Sequence, residues 1–225
     1  MIESPPAPRV LYLHGFASGP SSAKGVAFAA HFARRDVSVD RLNLRVPSLE
    51  QLRLSAMIEA VRGALGGPRQ RAVVIGSSLG GLTACRVAED EPRVTGLVLL
   101  APAFRMIERW RTRLGDDGWQ RWREEGWLGI DDHVTRAPAR IDFGFAKDAA
   151  AIDARGGGWP DVRVPTLILH GRSDDVVDID LSRQFASGRR HVRLIELDDG
   201  HDLIASLPLL LTEAEEFLTP WLGPP

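Results

Sequence analysis

A chain of 225 residues with 44% hydrophobic and 26% charged residues is long enough to bury one sizeable core. Its formal net charge of −2 argues against a polyanionic partner such as nucleic acid, and its only cysteine, Cys85, excludes an intrachain disulfide. The opening Met1-Ile2-Glu3-Ser4-Pro5-Pro6 does not read as a signal peptide and no apolar run approaches the ~20 residues that cross a bilayer, so the expectation is a cytoplasmic protein with no membrane span.

After the proline-rich start, Arg9–Leu13 reads as a buried strand ending at His14-Gly15. Ser22 to Arg34 has helical spacing through Val26, Phe28, Ala29 and Phe32, with Ser21 or Ser22 as its cap. Val37–Leu42 alternates and predicts a more exposed strand. Leu49 to Leu65 returns to helical spacing, and Gly66-Gly67-Pro68 stops it. A buried strand over Arg71–Ile75 follows, then a helix from Leu79 to about Asp90, then a strand over Val94–Leu100. Thr166–Leu169 and Val192–Leu197 are the remaining strands, separated by a short helix near Ile179–Phe185. The last helix starts at Leu203 or Pro208 and runs to Trp221. Strands alternating with helices predict a mostly parallel sheet of about six strands, covered on both faces.

One stretch interrupts this alternation. Between Ala103 and Pro165 no buried strand is evident, yet five of the six tryptophans lie there: Trp110, Trp119, Trp122, Trp127 and Trp159. So long a connection between core strands is a functional insert or a disordered one, and the aromatic content argues against disorder. A small, partly helical lid at about 104–160 is expected, within a single domain spanning 1–225. Trp110, Trp119, Trp122 and Trp127 are candidates for lining an acyl pocket beneath it, the alternative being that they glue the lid to the core. Trp119 and Trp122 are spaced i, i+3 and would share a helix face. Arg105, Arg109, Arg111 and Arg113 cluster in the same stretch, but Glu108, Asp116 and Asp117 accompany them, as on a solvated helix face.

The chemistry is concentrated in Gly76-Ser77-Ser78-Leu79-Gly80, which directly follows Ala72-Val73-Val74-Ile75. A strand running into G-x-S-x-G presents its serine on a sharp strand-to-helix turn, with glycines where side chains would collide. The pentapeptide alone is a weak signal. Chain order strengthens it: an acid candidate in His170-Gly171-Arg172-Ser173-Asp174 and a histidine in Gly200-His201 follow the serine. Ser78 would attack a carbonyl carbon, His201 would take its proton, and Asp174 would orient the imidazole. Ser77 is the rival nucleophile, and Asp175 or Asp178 the rival acid. Backbone N–H groups of Leu79, at the start of its helix, and of Phe16, after the first strand, would receive the developing oxyanion. His14 and His170 each end a strand before a glycine and are expected to tie down loop backbone near the site. No metal or cofactor is called for, since H-E-x-x-H, G-x-G-x-x-G and G-x-x-x-x-G-K-[ST] are all absent.

Tyr12-Leu13-His14-Gly15-Phe16-Ala17-Ser18-Gly19-Pro20-Ser21-Ser22-Ala23-Lys24, taken with Gly76-Ser77-Ser78-Leu79-Gly80-Gly81, resembles the small bacterial YqiA-type esterases of the α/β-hydrolase superfamily. The Trp122-Arg123-Glu124-Glu125-Gly126-Trp127 stretch looks more like acyl-glucuronide esterase and depalmitoylating thioesterase relatives. The resemblance implies an α/β-hydrolase fold with carboxylesterase or thioesterase activity on a small-molecule acyl substrate, and Ser78, Asp174 and His201 as the triad. A non-catalytic receptor that keeps the fold and the pocket is the alternative from another functional class.

Overall fold

The computed structural model describes residues 7–222. Strand β1 (Arg9–Leu13) leads into helix α1 (Ala23–Ala33), capped by Ser22, whose Oγ accepts the Gly25 N–H at 3.3 Å. Then come β2 (Val39–Leu42), α2 (Leu54–Ala64), β3 (Ala72–Ser77), α3 (Leu79–Ala88) and β4 (Val94–Leu100). After an insertion, the chain resumes with β7 (Thr166–Gly171), α6 (Ile179–Ala186), β8 (Val192–Leu197) and α7 (Leu207–Leu222). The insertion comprises α4 (Met106–Glu125), β5 (Trp127–Asp132), β6 (Ala137–Asp142) and α5 (Phe143–Asp153).

Six strands form one parallel sheet in the order β2-β1-β3-β4-β7-β8. Every residue of β3 and β7 is buried, as continuous apolar runs in a doubly covered sheet require, whereas β2 at the edge is half exposed. Successive side chains point to opposite faces. Leu11, Leu13, Val74, Leu97 and Ile168 therefore pack under α2, α3 and the insertion, while Val10, Val73, Val98 and Leu167 pack under α1 and α7. Gly96 leaves room on that second face for the Trp221 indole of α7, which an added Cβ would approach to 2.9 Å.

The chain winds one way from β1 to β2 and the other way from β1 to β3. The crevice at the carboxyl ends of the strands beside such a reversal is where open α/β sheets bind ligands. The turn after β3 and the loop after β1 both lie there.

The insertion differs from expectation in one respect: it contains an antiparallel hairpin, β5–β6. These strands pair only with each other and are mostly exposed, so they lack the continuous apolar run that marks a strand of the main sheet. Helix α4 is also broken, at Gly115 (φ 66°, ψ 173°), into two helical halves. Ion pairs stitch the insertion to the core. Arg53 grips Asp142 through both guanidinium ends at 2.6 and 2.8 Å, Arg45 meets Asp132 at 2.6 Å, and the fully buried Arg86 meets Asp153 at 2.9 Å. The same contacts explain why α2 begins later than its spacing predicts. Arg53 is extended (φ −136°), and the Glu50 carbonyl ahead of it accepts the Asp142 N–H at 2.8 Å instead of starting a helix.

Candidate active site

Ser78 occupies the junction between β3 and α3 with φ 51° and ψ −114°, a conformation that non-glycine residues rarely adopt. The backbone around it is over-determined. Its N–H donates to the Leu100 carbonyl at 2.8 Å, and its own carbonyl accepts the Ala103 N–H at 3.0 Å. The flanking glycines permit the turn. A Cβ on Gly76 would lie 2.5 Å from the Gly80 carbonyl oxygen, and one on Gly80 would lie 2.3 Å from that of Leu13.

His201, in the loop after β8, lies with Nε2 3.1 Å from Ser78 Oγ and Nδ1 2.8 Å from Asp174 Oδ2. Asp174, in the loop after β7, has a side chain without exposed surface. Its Oδ1 accepts the N–H groups of Val176 at 2.9 Å and Val177 at 2.7 Å, and its Oδ2 also lies 3.0 Å from His170 Nε2. Burial by itself pushes this carboxyl up. Hydrogen bonds from His170, His201 and the Val177 N–H outweigh that and hold it well below the usual carboxylate range. Asp174 is thus the acid brought to His201, while Asp175 is exposed. Ser78, His201 and Asp174, far apart in sequence, form one hydrogen-bonded row.

A cavity of about 620 Å³ opens onto this row. Its apolar wall includes Phe16, Leu79, Met106, Trp110, Leu114 and Ile130. Leu79 is the first residue of α3, so its N–H belongs to the donors that a helix leaves unpaired at its start. Phe16 and Leu79 both border the cavity beside Ser78.

Of the four tryptophans expected to line this space, Trp110 does, packed edge-on against Phe16 with ring centroids 5.0 Å apart. The other three do not border it. Trp122 is 1% exposed, and its indole N–H donates to the Ile141 carbonyl at 3.1 Å, which makes it core. Trp119 stands edge-on to Trp122 and Phe143, on the far side of α4 against a separate hollow beside Arg105 and Asp153. Trp127 lies outside under the Arg140 guanidinium, 4.0 Å from its ring centroid. Leu128 and Ile130 of the hairpin contribute to the cavity wall in its place, a parity that could not be assigned without knowing that β5 is a strand.

The two other strand-end histidines both meet backbone beyond their strands. His14 Nε2 accepts the Leu44 N–H at 3.0 Å, as loop anchoring requires. His170 also meets loop backbone, at the Val177 carbonyl 2.9 Å from Nε2, and reaches the Asp174 carboxylate of the same loop. Lys24 borders the cavity and donates to the carbonyl of Asp202, the residue after His201. Arg109 donates to the Val176 carbonyl, joining α4 to the loop that carries Asp174. Among the described residues, no helix is long and apolar enough to cross a membrane, and no group of three or more His, Cys, Asp or Glu side chains could hold a metal ion.

A six-stranded parallel sheet in this order, a serine at the β3–α3 turn, and an acid and a histidine after the next-to-last and last strands define an α/β-hydrolase fold. Within it, the profile of the family described as "Uncharacterised protein family (UPF0227)" matches residues 9–212, and the chain belongs to that family. No curated protein matches the chain. Among solved structures, mouse alpha/beta hydrolase domain-containing protein 10 is similar at 19% identity and TM-score 0.80, over 96% of this chain and 92% of that one. Est1E from Butyrivibrio proteoclasticus is similar at 19% identity and TM-score 0.74, over 99% and 91%. The esterase domain of a Rhodothermus marinus protein is similar at 19% identity and TM-score 0.70, over 99% and 90%. At such identities the likeness is one of fold.

Proposed function

We propose that the protein is a serine hydrolase that cleaves carboxylic esters through an acyl-enzyme, acting as a single domain whose insertion over about 104–160 serves as a lid. The observation that carries this reading is the row Ser78–His201–Asp174, with spacings of 3.1 and 2.8 Å, at the edge of a largely apolar cavity. His201 Nε2 removes the Ser78 hydroxyl proton as Oγ attacks the ester carbonyl carbon. Asp174 Oδ2 accepts the Nδ1–H, which fixes the tautomer that leaves Nε2 free to act as base and then stabilises the imidazolium. The N–H groups of Leu79 and Phe16 receive the oxyanion. His201 returns the proton to the leaving alcohol. Water, activated by the same imidazole, then releases the acid and restores Ser78.

The cavity suits an acyl chain of small to medium length, because the ring of Trp110 and the side chains of Met106 and Leu114 present carbon rather than hydrogen-bonding groups. The test is initial rates on p-nitrophenyl esters from acetate to palmitate, with one matched thioester, for wild type and Ser78→Ala. The variant should lose about three orders of magnitude or more in kcat, with any residue of activity coming from the oxyanion donors and binding. A variant that keeps about a tenth of the wild-type rate would remove Ser78 from the mechanism. Thioester turnover well above that of the matched oxygen ester would move the assignment to a thioesterase.

A further inference from the structure

His170 lies at the end of β7 with no exposed surface, and its two ring nitrogens contact three different partners. Nε2 lies 3.0 Å from Asp174 Oδ2 and 2.9 Å from the Val177 carbonyl oxygen. Nδ1 lies 2.7 Å from the hydroxyl of Ser182, itself fully buried on α6. An ionised carboxylate and a carbonyl can only accept, so Nε2 carries a proton and donates toward both. The Ser182 hydroxyl can then donate to Nδ1, which fixes the ring from its other side.

These contacts complete a closed set around the carboxylate. Asp174 Oδ1 takes the Val176 and Val177 N–H groups, and Oδ2 takes His201 Nδ1–H and His170 Nε2–H. Val177 appears twice, as a donor to Oδ1 and as an acceptor from His170. The acid sits on a loop, whereas His170 belongs to a fully buried strand. A reacting group held to within a fraction of an ångström needs such support from a rigid element.

We propose that His170 is a positioning residue for the reaction: its Nε2–H holds Asp174 Oδ2 where it meets His201, and Ser182 steadies the ring from its Nδ1 side. This rests on the reading of Ser78, His201 and Asp174 as the reacting row. Loss of His170 leaves Oδ2 free to turn away from His201 while Ser78 and the wall formed by Phe16, Trp110 and Leu114 stay as they were, so the rate constant suffers far more than binding.

The two amides discriminate by geometry, because a Gln side chain places its N–H₂ near the position of Nε2 and an Asn side chain ends near Nδ1. His170→Asn should lower kcat by about 10- to 100-fold with KM within about twofold, the scale seen when outer-shell partners of a functional group are removed. His170→Gln should recover to within about fivefold of wild type, and Ser182→Ala should show a smaller fall of the same kind. Nitrogen-15 spectra of the wild-type protein should show His170 protonated at Nε2, a readout that needs no variant to fold. Equal kcat for wild type and His170→Asn, equal losses for Asn and Gln, or a ring bare at Nε2 would each overturn the role of His170 while Ser78-dependent turnover stood. Absence of Ser78-dependent turnover in wild type would overturn the underlying reading as well.

Discussion

Ser78 is held at φ 51° by its neighbours rather than by its own preference, and such a conformation costs on the order of 1–3 kcal/mol. The tight approach of α3 to the end of β1 is part of what holds it. Gly80→Ala would drive a Cβ to 2.3 Å from the Leu13 carbonyl oxygen and 2.6 Å from that of His14, both backbone atoms that cannot swing aside. We expect that substitution to cost about 3 kcal/mol or more, read from urea unfolding; a loss below about 1 kcal/mol would show that the elbow is looser than described. The hydrogen-bonded row of Ser78, His201 and Asp174 is legible in the sequence as a candidate because the motif and its chain order carry chemical meaning. The choice of Asp174 over Asp175 was not decided by sequence alone, since it turns on which carboxylate the loop points at His201. Which of Trp119, Trp122 and Trp127 faces the cavity is not legible for a related reason: composition locates aromatic residues in the insertion but does not say which way they face.

At the scale of elements, the alternating strands and helices of the core were readable to within a few residues, because buried strands are continuous apolar runs bounded by turns. The hairpin β5–β6 was not, being half exposed and paired only with itself. The two halves of α4 divide the work of the insertion. The half before Gly115 carries Trp110 and Leu114 over the cavity, and the half after it carries Trp119 and Trp122 away from it. Trp110→Ala removes the ring packed against Phe16 and deepens the apolar wall. Its kcat/KM profile across p-nitrophenyl esters should shift toward longer acyl chains, with acetate falling several-fold. An unchanged profile would place the acyl group elsewhere.

Over the whole molecule, the candidate site is assembled by topology: strand ends distant in sequence converge at the carboxyl end of the sheet, and the insertion borders the cavity there. Ion pairs hold the insertion to the core. Arg53 beside Asp142 holds its carboxyl below the usual range, against the opposing effect of burial. A carboxyl whose folded pKa is depressed contributes stability that is fully present above its unfolded pKa of about 4 and lost as pH falls through the folded value. Urea midpoints should therefore drop on going from pH 6 to pH 3. Arg53→Met should cost about 1 kcal/mol near neutrality and flatten part of that drop. An equal drop in the variant would mean that this pair does not contribute to the acid sensitivity.

A Ser78 hydroxyl activated by His201 would react with a serine-reactive fluorophosphonate, and mass spectrometry of the treated protein locates the adduct. We expect one adduct per chain, on Ser78 and not on Ser77, and its loss in His201→Ala. No adduct on a folded sample, or one on Ser77, would contradict it.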